Sequence, residues 1–281
     1  MTTVVRAVLL PVMSSYYNRL NQGLLDDGFT GTLLVLKSNG GMMGVELARE
    51  RPEELVESGP AGGVAYARYL SEHTEFSKII HTDMGGTTFD ASIVEDGHGL
   101  ITHDYDLEWE MPIIIPMLDI RSVGAGGGSV AWIDAGGSLR VGPQSAGADP
   151  GPACYQRGGD AATITDANLV LGRLEPTLGG KLILDGAAAE RVVARLGDKI
   201  NLSALEAAEA IISICCENMA QAIKLVLIDR GRDPRDFVLA SFGGAGAMHA
   251  CVIARAMSIP KIIVPTHAGV ASAFGAIAMD L

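Results

Sequence analysis

Hydrophobic positions along the chain alternate between helical and strand-like spacing. Over residues 3 to 25, Val5, Leu9, Val12, Tyr16, Leu20 and Leu24 recur every three or four places. That pattern predicts a helix which Pro11 should kink or restart and Gly28 should end. Leu33 to Leu36 form a short continuous apolar run of buried-strand type, followed by the turn Lys37-Ser38-Asn39-Gly40-Gly41. Open α/β sheets place ligand-binding groups at such strand ends. The stretch Ser58-Gly59-Pro60-Ala61-Gly62-Gly63 leads into a helix expected through Val64, Ala67, Tyr69 and Leu70. Its small residues suit either a second anion-binding turn or tight helix-to-sheet packing.

The most informative stretch follows. Two β-prone runs, Ile79 to Thr82 and Phe89 to Val94, flank Asp83-Met84-Gly85-Gly86-Thr87-Thr88, which reads as a hairpin whose tip is stripped of side chains. Gly85 and Gly86 permit close approach of a ligand, and their N–H groups, with the hydroxyls of Thr87 and Thr88, can donate to an anionic oxygen. Asp83 and Asp90 would repel a phosphate directly. They fit as ligands, through water, of a Mg²⁺ arriving with a nucleotide, or as a base orienting a nucleophile. A plain glycine turn with threonines paired across the strands would carry the same residues.

Farther on, Gly124-Ala125-Gly126-Gly127-Gly128-Ser129 begins like a dinucleotide fingerprint, but a strand through Val130 to Asp134 follows it instead of a helix. It is read as a flexible or substrate-facing loop, with Gly126 and Gly127 as candidate substrate contacts. Residues 142 to 160 are turn formers without periodicity, expected to be an ordered functional loop. Asp149 is its candidate substrate contact, and Asn39 plays that part in the earlier turn. Asp166 and Asn168 could face the same cleft or serve as caps and turns. Helices are expected from Ala187 to Leu196 and from Ser203 to Ile228, the second opened by a Ser203/Glu206 capping box and largely buried. Then strand (Phe237 to Phe242), glycine turn (Gly243-Gly244-Ala245-Gly246), helix (Met248 to Met257) and strand (Lys261 to Val264) succeed one another. The turn offers unpaired N–H groups and a helix dipole at a sheet edge, and its bare surface admits an adenine or ribose. It lacks the lysine of a P-loop. His249, in the first turn of that helix, is read as structural.

Composition narrows the function classes. The 281 residues carry a formal charge of −12 and no lysine/arginine cluster, which argues against nucleic-acid binding. No uninterrupted apolar run approaches the length of a membrane span and no secretory signal pattern opens the chain, so a cytoplasmic location is expected. Cys154, Cys215, Cys216 and Cys251 make no C-x-x-C pair, so neither a zinc site nor a disulfide framework is expected.

Taken in order, Lys37 to Gly41, Ser58 to Gly63, Asp83 to Asp90, Gly124 to Ser129, Ala148-Asp149-Pro150-Gly151-Pro152-Ala153-Cys154-Tyr155, Thr165-Asp166-Ala167-Asn168-Leu169 and Phe242 to Gly246 resemble the hydantoinase A, 5-oxoprolinase and acetone carboxylase β-subunit family. The resemblance covers almost the whole chain. It implies an α/β fold of the ribonuclease-H-like class, the mixed sheet flanked by helices found in the actin, sugar-kinase and Hsp70 ATPases. It also implies ATP and Mg²⁺ as cofactors, and phosphorylation of a carbonyl or enolate oxygen in a cyclic amide. By the same analogy Asp83, Gly85, Gly86, Thr87 and Thr88 hold phosphate, Asp90 positions metal or water, and Gly243, Gly244, Ala245 and Gly246 cradle adenosine. Implied partners are a cyclic amide or ketone, a B-type hydantoinase subunit and an N-terminal lobe that the family carries and this chain lacks, as it lacks the family's C-terminal extension. Residues 1–281 are therefore expected to be one ATPase lobe, with about 97–165 as a loop-rich insertion. The alternatives are the β-subunit of an acetone- or acetophenone-type carboxylase and a non-catalytic nucleotide-binding lobe.

Overall fold

A computed structural model of the chain describes residues 2–103, 105–107, 111–228 and 230–278. Two compact units are present, one made of Met1–Ile79, Ser92–Ile120 and Ala271–Leu281, the other of Ile80–Ala91 and Arg121–Val270.

In the first unit, helix α1 (Thr2–Asp26) runs through Pro11 as one element, so the expected restart does not occur. An interior proline removes one intrahelical N–H bond but leaves those on either side. Beyond it Tyr17 anchors the helix in a cluster with Met43, Ala48 and Leu55. The strands Leu34–Leu36 and Met42–Gly44 pair antiparallel. The turn joining them is braced, with Lys37 paired to Glu54 at 2.7 Å and Asn39 Oδ1 accepting from the Gly41 amide at 3.0 Å. Helix α2 (Ser58–His73) decides between the two readings of its glycine-rich start. A Cβ on Gly62 would lie 2.5 Å from the Ser272 carbonyl of the helix Ala271–Ile277, and one on Gly275 would lie 2.7 Å from the Tyr66 amide. The small residues let two helices touch backbone to backbone, so of the two readings the packing one fits, with a helix as the partner in place of a sheet.

The second unit carries the central sheet, built from β1 (Lys78–Met84), β2 (Phe89–Glu95), β3 (Arg121–Val123), β4 (Val238–Phe242) and β5 (Lys261–Ile263), the outer ends of β1 and β2 counting with the first unit. Their order across the six-stranded sheet is β3-β2-β1-β4-β5, with the short strand His98–Gly99 pairing antiparallel to β2 off that path. β2 and β3 are antiparallel, with Asp90 opposite Ser122, and β4 and β5 are parallel, with Leu239 opposite Ile262. An antiparallel meander extended by a parallel pair is the ribonuclease-H-like sheet expected from the resemblance. Every residue of β4 is buried, as a strand covered on both faces requires.

Helices α3 (Ile164–Val170), α4 (Gly186–Gly197) and α5 (Ala204–Ile228) pack on one another, and α6 (Ala247–Met257) packs on α5, β4 and β5. The capping box is present: Ser203 N donates to Glu206 Oε2 at 2.8 Å, and Glu206 N to Ser203 Oγ at 3.3 Å. By length and composition α5 could cross a membrane, contrary to the expectation that no segment would. Yet 56% of its apolar stretch is buried inside the fold, as in the core helix of a globular unit.

Candidate functional site

The expected hairpin is present, and its tip, residues 85 to 88, is exposed. Gly85 N donates to Thr88 O at 3.1 Å and closes the turn. Counting back from that bond sets Asp83 opposite Asp90, two carboxylates on neighbouring strands. Asp90 is buried and Asp83 half-buried.

The loop after β3 determines how the tip is oriented. Gly126 N donates to Thr87 O (3.1 Å), Gly127 N to Gly85 O (3.0 Å) and Gly128 N to Gly86 O (2.7 Å). Together with the Gly85–Thr88 bond, these tie every carbonyl of the tip back into the protein. The Gly86 and Thr87 amides meet no protein acceptor among the described residues. The tip's carbonyls are therefore all spent and two of its donors are not, the donor excess on which an anion-binding nest is built. Gly126 and Gly127, expected to face substrate, are instead buried braces of the tip, because their amides are engaged by its carbonyls.

Met84 O, at the end of β1, accepts from Ala245 N at 3.1 Å, which joins the second glycine turn to the first. Gly243 has φ +81°, and a Cβ on it would lie 2.5 Å from Asp83 Oδ1. The turn opens α6, whose N-cap Gly246 provides no side-chain cap; Met248 N and His249 N donate back to Ala245 O (3.3 Å) and Gly246 O (3.0 Å), and the Ala247 amide meets no protein acceptor among the described residues.

The glycines separate into two groups. Gly126 and Gly243 are required by the fold, since a Cβ at either would collide with backbone or with Asp83. At Gly85, Gly86 and Gly244 a Cβ would meet nothing within 4 Å, and φ lies outside the left-handed region. Nothing in this unit demands glycine at those three places, all exposed, whereas a ligand lying against the backbone would.

Other candidates resolve differently. Asp149 is exposed, on the stretch leading to Gly151. Asn39 belongs to the first unit, where it lines a cavity of about 200 Å³ with Arg68 and His98. Asp166 is a buried clamp that accepts from Ala153 N (3.3 Å), Cys154 N (2.9 Å), Thr163 N (3.1 Å) and Thr163 Oγ1 (2.7 Å), capping α3 and ordering the preceding loop. Burial, then the Asp166 charge, pushes the Cys154 thiol far up, so it is no nucleophile. Asp166→Asn should lower stability by about 2–3 kcal/mol, because an amide NH₂ would face N–H donors; the urea midpoint would report it.

Two buried histidines complete the surroundings. His249 was expected to be structural, whereas His81 carried no sequence signal beyond its place two residues before Asp83. His81 is fully buried, its ring centroid 5.1 Å from that of Phe242, and neither ring nitrogen has a partner among the described residues. Burial lowers its pKa to about 4, against the opposing pull of Asp83. Thr165, not singled out on its own from the sequence, donates to Gly127 O through both N and Oγ1, each at 2.8 Å.

Comparison with known proteins supplies the context. The hydantoinase/oxoprolinase family model matches residues 1–281. The chain is 38% identical to the caprolactamase subunit alpha of Pseudomonas jessenii, over 100% of this chain and 40% of that protein. It is 34% identical to 5-oxoprolinase 1 of Arabidopsis thaliana, over 98% of this chain and 23% of that one. A nucleotide-free structure of acetone carboxylase, described as ATP-dependent, superposes with TM-score 0.87 at 30% identity, covering 94% of this chain and 38% of that one. The chain thus spans well under half the length of these relatives.

Proposed function

The chain belongs to the hydantoinase/oxoprolinase family, and on that premise we propose that it is the nucleotide-binding lobe of an ATP-dependent enzyme that opens cyclic amides. The observation that supports this reading most directly is the hairpin tip, with its carbonyls tied back, its Gly86 and Thr87 amides without a protein acceptor among the described residues, and its exposed glycines open to a ligand. A triphosphate fits that polarity without any lysine. In this reading Gly85, Gly86, Thr87 and Thr88 bind phosphate oxygens. Gly244, Ala245 and Gly246, at the start of α6, lie against the nucleoside.

Asp83 and Asp90 are assigned to Mg²⁺. Carboxylates opposite each other on neighbouring strands repel, and a divalent cation between them removes that repulsion. Among the described residues no group of three or more His, Cys, Asp or Glu side chains could hold a metal alone. Two carboxylates would suffice for Mg²⁺, which takes one or two and completes its shell from phosphates and water. MgATP bound there supplies a phosphoryl group that activates an otherwise stable carbonyl. The chain's own residues position and neutralise, which is most of what phosphoryl transfer asks of a protein. We assign turnover to the assembly of this lobe with a companion lobe and a B-type subunit.

The likeness to acetone carboxylase favours a second reading, in which the same loops activate a ketone for carboxylation. Calorimetric titration of the chain with MgATP should give saturable binding that Asp83→Ala weakens at least ~10-fold, on the scale of losing one charge-assisted contact. Affinity indifferent to that substitution would point to a lobe that binds nucleotide elsewhere. In the complete enzyme, ATP consumption dependent on caprolactam, hydantoin or 5-oxoproline supports the hydrolase, and dependence on acetone with bicarbonate supports the carboxylase.

A further inference from the structure

Behind the two glycine turns, α3 carries a line of buried polar contacts. At one end Thr165 grips Gly127 O through both its amide and its hydroxyl, at 2.8 Å each, and Gly127 N in turn holds Gly85 O of the hairpin tip. One helical turn on, Asn168 Nδ2 lies 3.4 Å from His249 Nε2 and also donates to Ile164 O at 3.1 Å. His249 stands in the first turn of α6, where its amide donates to Gly246 O at 3.0 Å. Thr165, Asn168 and His249 are all buried. We propose that this line, tip to Gly127 to Thr165, then Asn168 to His249 to Gly246, is a strut that holds the two turns at a fixed spacing, with Asn168 and His249 as positioning residues for the nucleotide. The proposal rests on reading both turns as nucleotide loops.

The chemistry of the contacts suits a strut and little else. Asn168 Nδ2–H donating to Nε2 leaves the imidazole proton on Nδ1, which lies 3.5 Å from Cys216 Sγ. Cysteine, histidine and asparagine in line also form the residue set of a cysteine nucleophile, but these are enclosed. Burial raises the Cys216 thiol to about 11 and lowers His249 to about 4, with the positive charge of Arg173 adding to the latter. A neutral thiol beside a neutral imidazole, with no exposed edge, cannot attack a substrate. It can fix the tautomer and the angle of the ring, and through the ring the start of α6. Such a brace matters for a ligand that must touch both turns at once and is indifferent to one that touches a single turn.

The test compares His249→Leu and His249→Gln in the full chain, with thermal unfolding to confirm that each is folded. Calorimetry would use three probes: MgATP, which spans both turns; magnesium pyrophosphate, for the hairpin tip; and adenosine, for the second turn. Expected is a loss of MgATP affinity of roughly 10-fold in His249→Leu. Affinity for the two fragments should be unchanged, and His249→Gln, whose side-chain amide still meets Asn168, should recover part of the loss. The double variant with Thr165→Val should be no worse than the weaker single one, because cutting a strut twice adds nothing. Unchanged MgATP affinity in the folded leucine variant, or equal loss for all three probes, would overturn the strut while leaving the nucleotide reading intact. Absence of MgATP binding by the unsubstituted chain would remove both. Should His249→Leu not fold, Thr165→Val with the same three probes decides the matter by the same criterion.

Discussion

Gly243→Ala is expected to abolish measurable nucleotide binding and to lower stability by about 3 kcal/mol or more. Two independent costs meet at this residue. Its φ of +81° is one that a side-chain-bearing residue adopts only at a penalty of about 1–3 kcal/mol. The new Cβ would also lie 2.5 Å from Asp83 Oδ1 and closer still to Met84 O, an overpacking cost of about 1–3 kcal/mol more. The turn cannot slide away, because Gly243 N is bound to Ala268 O at 2.9 Å and Ala245 N to Met84 O at 3.1 Å. Strain there would push on Asp83 and the root of the hairpin together. Gly244→Ala is the control, since its Cβ meets no protein atom within 4 Å. Thermal unfolding should leave that variant near the unsubstituted protein, while MgATP titration should show it weakened. A Gly243→Ala protein as stable as Gly244→Ala would contradict the geometry.

Stability should also fall steeply as the solution is acidified from about pH 6.5 to about pH 4. His81 and His249 are both buried, and burial holds each pKa near 4 in the folded protein against 6.5 for the ordinary side chain. The sign follows from proton uptake. Below pH 6.5 the unfolded chain binds protons at these histidines and the folded one does not, so acid favours unfolding until the folded pKa is reached. Each histidine contributes a slope of about 1.4 kcal/mol per pH unit within that window and none above it. Carboxylates held low, such as Asp233 at about 2 beside Arg235, also make acid favour unfolding, but in a lower pH window. Their contribution is present above the unfolded carboxylate range and is lost only as pH falls below it, which separates the two windows. Urea midpoints at pH 7.5, 6 and 5 would measure the slope. Replacing His249 by Gln should remove its share, and an unchanged slope would mean that the ring reaches solvent.

The fold was legible where local chemistry decides it. Glycine turns, the Ser203/Glu206 box and the strand–turn–helix of the second glycine site follow from dihedral freedom and from donors a few residues apart. The helix over α1 was legible too, but not its burial. Of the expected stripe, Val5, Leu9, Leu20 and Leu24 are half-buried but Val12 and Tyr16 are 65% and 48% exposed, while Tyr17, outside it, is buried. Periodicity names a face without naming what covers it.

By itself, then, the amino-acid order determined that two bare glycine turns exist, that aspartates and threonines accompany one of them, and that the chain folds as an α/β ATPase-like lobe. Only the tertiary structure decided which glycines packing requires and which it leaves open. Gly126 and Gly243 were indistinguishable in sequence from Gly86 and Gly244 until their neighbours were known. It also decided that Gly126 and Gly127 brace the tip and that Thr165, Asn168 and His249 stand in line behind it. The physical reason is separation along the chain. Thr82 meets Ala240 across 158 residues and Asn168 meets His249 across 81. Such pairs follow from the β3-β2-β1-β4-β5 order of the sheet, which no short stretch of residues encodes.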